Sequence, residues 1–279
     1  MDAKIGPAGP SRDQNILTIL NADVSAGLGK LRIYHPPGTS MFTPATLIAI
    51  QAIGSNQQLI TGKGIDWGSG TGSLAISASR INSVERIIGL DISAHCVEVA
   101  RQNALINGVE DEVEFILSDS YTPLAEADKR TLDVLRGQIN FVLANPPASE
   151  GDDGFEYRRL ILEGARSYLV PGGVVFLNIS YQHGQQRVKR LTQQVSGFDY
   201  GGLLASTDWV PFDLRRIDLL HCLENYAEEE SRGGLRYVFA SPEVKHVFIN
   251  ARTALANFQR SGISPLTRWQ THLFKYCDI

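Results

Sequence analysis

From residue 60 onward, short apolar runs alternate with segments of helical pattern. The runs are GIDW, RIIGLD, VEFILSD, INFVLAN and GGVVFLNIS, and segments such as SAHCVEVARQNALING separate them. This alternation predicts βαβ units, in which parallel strands form one sheet and helices cover both of its faces. Several runs are apolar nearly throughout, as the central strands of a parallel sheet are. We therefore expect an α/β fold with a doubly wound, mostly parallel sheet.

The segment after Asp91 carries signals for both ends of a helix. Ser93 is a residue type that caps helix N-termini, and Gly108 is a natural left-handed cap at the C-terminus. Helical spacing predicts a core-facing side that contains Val97, Ala100, Ala104 and Leu105.

The composition fits an ordinary folded protein. Of the 279 residues, 43% are hydrophobic and 20% are charged, which provides enough apolar material for a sizeable core. The net charge of -4 gives no basic surface, so a nucleic-acid partner would require a local patch. Residues 1–15 are rich in Gly, Pro and polar side chains, so we expect a flexible tail there and a single domain over residues 16–279.

Location and metal binding are predicted from what the sequence lacks. No stretch reaches the roughly 20 apolar residues of a membrane helix, and the first residues lack the apolar centre of a signal peptide. We therefore expect no membrane partner and a cytoplasmic protein. Cys96, Cys222 and Cys277 form no C-x-x-C pair, which predicts reduced thiols. The six histidines show no i, i+4 pair, so we expect no metal site.

Three polar or glycine-rich signals follow successive strands. In DWGSGTGSLAI, Gly68, Gly70 and Gly72 permit a tight turn and a close approach of backbone amides to a ligand. Alone, this spacing also fits a glycine-rich turn of any α/β sheet. Asp91 ends the next strand, where an acid holds ribose hydroxyls in nucleoside-binding folds, and the two signals together favour such a ligand. Asp119 ends the third strand and is either a further ligand contact or a turn cap.

Asn145-Pro146-Pro147 follows the fourth apolar run. Prolines remove ladder hydrogen bonds, so the strand must stop there and a stiff loop must begin. The Asn145 side-chain oxygen and the Pro146 carbonyl can accept two hydrogen bonds from one NH2 group. Pinning both hydrogens turns the lone pair of a delocalised nitrogen toward an incoming methyl group, so the motif favours nitrogen alkylation. The alternative is a simple strand terminator.

In this order, the glycine turn, the acid and Asn-Pro-Pro resemble the class I S-adenosylmethionine-dependent methyltransferases over roughly residues 40–205. The resemblance implies a Rossmann-like sheet of seven strands with an antiparallel last strand, C-terminal strands over about 206–279, and S-adenosylmethionine as the cofactor. It implies catalytic roles for Asn145 and Pro146, with Pro147 and Ala148 beside the substrate. The cofactor-binding residues that it implies are Asp66, Gly68, Gly70 and Gly72 at the methionine part, Asp91 at the ribose, Asp119 and Ser120 at the adenine, and Ile92, Thr46 and Asn145.

Two longer segments, from DGFEYRRL to FLNIS and GQQRVKRL, resemble the HemK-type protein-glutamine methyltransferases and their small-domain relatives. VEVARQNALINGV also resembles the ribosomal-protein L11 methyltransferases, and FTPATL resembles a HemK-type loop that would bring Pro44 and Thr46 to the cofactor. The chain departs from the pattern in three respects. Ala148 replaces an aromatic that packs on a planar acceptor, residues 149–154 are shorter and more acidic than the usual substrate loop, and no separate N-terminal helical domain is evident.

The C-terminal part offers one further helix, in DLRRIDLLHCLENYAEEESRGG, which precedes the segments LRYVF and KHVFINA. Its predicted apolar face contains Leu214, Ile217, Leu220 and Leu223. The last two strands of class I sheets form an antiparallel pair, so this helix would be an insertion beside the site. It is then either a substrate lid or a packing helix with a solvated acidic end at 228–230. The basic clusters at 157–159 and 188–191 are interpreted as solvated helix faces rather than a phosphate track.

Two classes of function remain. The first is an enzyme that methylates a nitrogen of a protein amide or amine or of a small molecule, or alternatively of an RNA base. The second is a catalytically inactive, cofactor-binding partner subunit. Asn145 favours the enzyme, because a pocket kept only for binding has less need of acceptors aimed at a methyl group; Ala148 favours the second class. The acidic chain makes RNA the weaker acceptor.

Overall fold

A computed structural model of the protein describes residues 17–147 and 156–277. The predicted tail at 1–15, Ala148 and the acidic segment at 149–154 lie outside these residues. The eight helices of the described part are α1 (Pro44–Ser55), α2 (Ser73–Ala78), α3 (Ala94–Asn107), α4 (Glu126–Asp133), α5 (Glu156–Ala165), α6 (Gly184–Gln194), α7 (Ile217–Ser231) and α8 (Ala251–Ser261). None of these helices combines the length and the apolar content needed to cross a membrane.

Fourteen strands accompany the helices in the described residues. The first seven are β1 (Leu17–Leu20), β2 (Leu31–Tyr34), β3 (Gly62–Trp67), β4 (Val84–Asp91), β5 (Val113–Asp119), β6 (Thr122–Pro123) and β7 (Ile139–Ala144). The others are β8 (Leu169–Asn178), β9 (Phe198–Ser206), β10 (Val210–Pro211), β11 (Phe239–Ala240), β12 (Phe248–Ile249), β13 (Leu266–Thr267) and β14 (Gln270–Tyr276).

Seven long strands form the central sheet in the order β5-β4-β3-β7-β8-β14-β9, and the two-residue β6 extends it beside β5. The first five are parallel, whereas β14 runs antiparallel to both β8 and β9. The predicted Rossmann-like sheet with an antiparallel last strand is therefore confirmed. The glycine turn after β3 and the Asn-Pro-Pro after β7 follow adjacent parallel strands, at the point where the strand order reverses.

Each face of the sheet carries its own apolar core. Alternate residues of a strand point to opposite faces, so Phe141 packs with α1, α2 and α3, whereas its neighbour Val142 packs with α4, α5 and α6. Helix α3 has the predicted ends: the Ser93 hydroxyl accepts a hydrogen bond from the Cys96 backbone, and Gly108 is left-handed. Leu105, predicted to face the core, is 65% exposed. Ala104 already occupies the core-facing position, and the next residue is rotated about 100° around the helix.

The residues between β9 and β14 form an insertion with its own small sheet and core. Strands β10, β13, β11 and β12 make up this sheet, and α7 and α8 pack on each other. The segments LRYVF and KHVFINA supply β11 and β12, so they do not enter the central sheet. The apolar face predicted for α7 is partly wrong. The helix begins only at Ile217, which is 64% exposed, and Leu214 lies before it, while Leu223 is fully buried.

The acidic end of α7 was predicted to be solvated, and for two of its three carboxylates this is wrong. Glu229 accepts a hydrogen bond from the buried Arg187 guanidinium at 3.0 Å. Glu230 accepts backbone hydrogen bonds from Tyr237 at 2.7 Å and from Ala251, at the start of α8, at 3.1 Å. Carboxylates near a helix N-terminus satisfy otherwise unpaired N–H groups. A charge run in the sequence thus serves the internal structure of the insertion.

Candidate active site

The glycine turn after β3 requires a left-handed backbone at all three glycines. Gly68, Gly70 and Gly72 have φ of 64°, 54° and 82°. At Gly72, a Cβ atom would lie only 2.6 Å from the ring of Phe115. Glycine avoids both the backbone strain and the clash, and it lets the chain turn directly from the strand into α2. Of the turn residues 68–72, Gly68 is exposed and the others are buried, so the backbone is open at Gly68, directly after β3.

Asp91 at the end of β4 holds the glycine turn. Its Oδ2 accepts a hydrogen bond from the Gly70 backbone at 2.7 Å, and its Oδ1 accepts one from the Ser93 backbone at 2.9 Å. A carboxylate offers about four lone-pair positions, so each oxygen can also accept a bond from a ribose hydroxyl. Ile92, the next residue, is 62% exposed and presents an apolar side chain at this sheet edge. The ribose role of Asp91 stays a prediction.

The structure contains a hydrogen bond between Trp67 and Ser120 that the sequence does not indicate. The Trp67 indole donates a hydrogen bond to the Ser120 hydroxyl at 2.8 Å and so joins the ends of β3 and β5. Ser120 has a φ of 53°, which costs energy in any residue with a Cβ, and the Ser118 hydroxyl donates to its carbonyl at 2.7 Å. Asp119 beside it is exposed. These contacts therefore fix the backbone at the end of β5, where the adenine is expected, and the Asp119 carboxyl lies exposed beside it.

Asp66 lies beneath the glycine turn and is 1% exposed. Its Oδ2 accepts a hydrogen bond from the Ala75 backbone at 2.9 Å, whereas its Oδ1 and the Ser69 hydroxyl have no partner among the described residues. Burial raises the pKa of this carboxyl from 3.8 to about 8. Buried polar atoms are rarely left without a partner. The ammonium and carboxylate groups of a bound S-adenosylmethionine would supply a donor and an acceptor here, so these residues fit the expected cofactor.

The raised pKa of Asp66 predicts a measurable pH dependence of stability. The folded protein binds this proton more tightly than the unfolded chain, so the free energy of unfolding falls as pH rises from the ordinary value of 3.8 to about 8. We expect Asp66→Asn to remove this slope. Urea denaturation without cofactor should show that the stability of wild type relative to Asp66→Asn decreases between about pH 5 and about pH 8. The exposed Asp111→Asn is the control, and parallel curves for wild type and Asp66→Asn would contradict the assignment.

The Asn145 side chain is fixed by Asn178, which ends β8 and was not singled out in the sequence. The amide nitrogen of Asn178 donates to the carbonyl of Ala45 at 2.8 Å and to Oδ1 of Asn145 at 2.8 Å, and its oxygen accepts from the Thr271 hydroxyl at 2.6 Å. The Ala45 carbonyl can only accept, which determines the orientation of both amides. The Asn145 nitrogen in turn faces Thr46, whose hydroxyl lies at 3.4 Å.

The Pro146 carbonyl is held by Arg158, the third residue of α5. Its guanidinium donates to the carbonyls of Pro146 at 3.2 Å and Pro147 at 2.6 Å. Arg158 is 4% exposed, so the prediction of a solvated basic face at 157–159 is wrong for this residue. It is right for Arg159, which is partly exposed and pairs with two carboxylates of the same helix. Nothing in the sequence distinguishes the two adjacent arginines.

Two buried histidines lie at the border between the central sheet and the insertion. Burial lowers the pKa of His183 well below its usual value and that of His272 to about 4, so both rings are neutral at neutral pH. The His272 ring lies 2.9 Å from the Tyr200 hydroxyl and 3.0 Å from the Ile179 carbonyl. Within residues 17–147 and 156–277, no group of three His, Cys, Asp or Glu side chains is arranged to hold a metal ion.

Sequence comparisons match the central part of the chain to known methyltransferases. The profile of the family described as methyltransferase small domain matches residues 41–199. A release factor glutamine methyltransferase of Thermodesulfovibrio yellowstonii is 25% identical over 171 residues, which cover 56% of this chain and 60% of that protein. A ribosomal protein L11 methyltransferase of Tolumonas auensis is 35% identical over 107 residues, which cover 37% and 36%. The chain spans about half the length of the curated relatives it matches.

A solved structure agrees on the fold. The crystal structure of a methyltransferase from Pyrococcus furiosus has a TM-score of 0.51 and 15% sequence identity, and the match covers 89% of this chain and 90% of that one. At this identity the likeness concerns the fold alone. The family profile, by contrast, covers more than half of the 279 residues. The chain therefore belongs to the methyltransferase small domain family, and S-adenosylmethionine is its cofactor.

Proposed function

We propose that this protein transfers a methyl group from S-adenosylmethionine to a nitrogen atom of a protein side chain or a small molecule. The observation that carries the proposal is the fixed Asn145-Pro146 pair. It follows β7, the strand adjacent to β3 with its glycine turn, and its two oxygens are oriented by Asn178 and Arg158. Two oriented acceptors next to a nucleoside-binding turn suit an NH2 group that must present its lone pair in one direction.

Both acceptors retain capacity for a substrate. A carbonyl or amide oxygen has two lone pairs, and among the described residues Asn178 donates to the Asn145 oxygen at 2.8 Å and Arg158 to the Pro146 oxygen at 3.2 Å. The second lone pair of each oxygen can accept one N–H of the acceptor nitrogen. The bound cofactor supplies a methyl group on a sulfonium. With Asn145 and Pro146 holding the acceptor nitrogen, the N–C bond would form as the S–C bond breaks, and the nitrogen would then release one proton to water.

A protein acceptor has the better support. The two relatives reported above are named for a release factor glutamine and for a ribosomal protein, both of which are protein acceptors. The net charge of -4 provides no general attraction for a polyanion, which weakens the RNA alternative. Position 148 is alanine, so the sequence lacks an aromatic there that would pack on a planar acceptor. We therefore propose a nitrogen acceptor without naming the amino acid that carries it.

Label transfer tests the proposal. The purified protein is incubated with methyl-tritiated S-adenosylmethionine and a cell extract separated into protein, RNA and small-molecule fractions, with heat-inactivated protein as the control. We expect label in the protein or small-molecule fraction. Label that only ribonuclease releases would favour an RNA base and overturn the proposed acceptor. Cofactor binding by calorimetry without label in any fraction would favour the inactive partner subunit and overturn the proposed activity.

A further inference from the structure

Arg158 joins three backbone carbonyls at the acceptor site. Its Nη1 donates to Pro147 at 2.6 Å, its Nη2 to Pro146 at 3.2 Å, and its Nε to Asn178 at 3.4 Å. The guanidinium comes from α5, beyond the segment that follows Pro147 in the chain. One side chain thus connects the end of β7, the end of β8 and the start of α5. These are the elements from which the proposed acceptor site is built.

The two prolines explain why this loop needs a side chain to hold it. Pro146 and Pro147 have no N–H, so neither residue can donate a backbone hydrogen bond. Strand β7 ends at Ala144, and the carbonyls beyond it leave the ladder with β8. Carbonyl oxygens are then the only backbone groups through which residues 146 and 147 can be tied down. A planar guanidinium can reach two neighbouring carbonyls at once, whereas an ammonium group is a single point donor.

We infer that Arg158 is the positioning residue of the acceptor loop: through the carbonyls of Pro146 and Pro147 it orients the oxygen that accepts the substrate N–H. This inference rests on the proposed function for its catalytic consequence. The structural part of the inference, that Arg158 holds residues 146 and 147 in place, is independent of the proposed function. Arg158 touches the loop rather than the reacting atoms, so its loss should reduce turnover and leave cofactor binding intact.

The insertion is joined to α6, which packs beside α5. Burial lowers the pKa of Arg158 to about 10, so the side chain is still a cation at neutral pH. Arg187 of α6 is 1% exposed, hydrogen bonds Glu229 of α7 and stacks on the Tyr237 ring at 3.7 Å. These contacts hold α7 against α6, a helix that packs on the same face of the central sheet as α5. Of the two roles considered for α7, these contacts favour a packing helix over a substrate lid.

The test compares Arg158→Lys with Arg159→Lys, an identical change at the adjacent, partly exposed arginine. Three quantities are measured for the full chain: the affinity for S-adenosylmethionine by calorimetry, the initial rate of label transfer, and the rate of hydrogen exchange of the backbone amides of Ala144 and Asn145 at the end of β7. For Arg158→Lys we expect unchanged affinity, turnover lower by about 100-fold, which a misplacement of about 1 Å can cost, and amide exchange faster by about tenfold. Arg159→Lys should match wild type in all three.

The outcomes separate this inference from the proposed function. If wild type transfers no label but amide exchange still accelerates only in Arg158→Lys, the proposed activity is wrong and the loop contact stands. If wild type is active and Arg158→Lys equals it in turnover and in amide exchange, the inference is overturned. Should Arg158→Lys not fold, Arg158→Gln takes its place, since it retains two N–H donors. A fall in cofactor affinity that parallels the fall in turnover would point to a general structural role and overturn the positioning role.

Discussion

Asn145→Ala should bind S-adenosylmethionine about as well as wild type and yet lose roughly 10²- to 10³-fold in turnover. The substitution removes the side-chain oxygen that Asn178 orients for the acceptor nitrogen. Removing one oriented polar group from an active site commonly costs this much, because the reacting atoms lose their alignment. Calorimetry gives the affinity, and the initial rate of label transfer gives the turnover.

The same substitution leaves the Asn178 amide with one donor unpaired, which should reduce stability by about 1–3 kcal/mol. Asn257→Ala is a matched control, because the side-chain oxygen of Asn257 in α8 likewise accepts a hydrogen bond from another side chain, that of Arg260, but lies in the insertion. We expect this control to retain full turnover. An Asn145→Ala enzyme with normal turnover would show that the motif only terminates β7, and it would remove the basis of the proposed chemistry.

Asp91→Ala should weaken cofactor binding by roughly 100-fold or more. Each hydrogen bond to a charged group contributes about 1.5–3 kcal/mol, and the loss of two ribose contacts therefore changes the dissociation constant by at least this factor. The substitution also releases the backbone amide of Gly70, which Asp91 holds at 2.7 Å, so the glycine turn loses a fixed point.

Calorimetry of the Asp91→Ala protein with S-adenosylmethionine is the measurement. The control is Asp111→Ala, an exposed acid that precedes β5 at the opposite edge of the sheet. A dissociation constant that equals that of wild type would exclude Asp91 from the cofactor site. Equal losses in Asp91→Ala and Asp111→Ala would point to a general effect of charge, since neither residue would then act through a specific contact.

The sheet and the strand-end positions of the candidate site residues were predictable because their signals are local. A strand that ends in a polar residue or a glycine turn is visible in the sequence, and the carboxyl ends of parallel strands meet at one edge. Gly72, Asp91 and Asn145 were found in this way. Asn178 ends an apolar run in the same manner, so the same signal would have identified it.

Other features could not be read from the sequence because they depend on contacts between distant segments. Arg158 and Arg159 are chemically identical neighbours, and only the tertiary fold decides which one is buried beside the prolines. The acidic end of α7 has the composition of a solvated face, yet Glu230 binds the first turn of α8, 21 residues further on. Helical spacing likewise assigned Leu105 to the core because it does not resolve which side of a wide apolar stripe meets the sheet.

The position of β14 sets a limit on when the site can assemble during protein synthesis. This strand lies between β8 and β9, and its Thr271 donates the hydrogen bond that orients Asn178. A nascent chain that already contains the glycine turn, Asp91 and Asn145, and even the whole of β9, still lacks this strand. The glycine turn and Asp91 can therefore take shape on the ribosome before the Asn145–Asn178 pair, whose hydrogen bonds are completed only after the entire insertion has been translated.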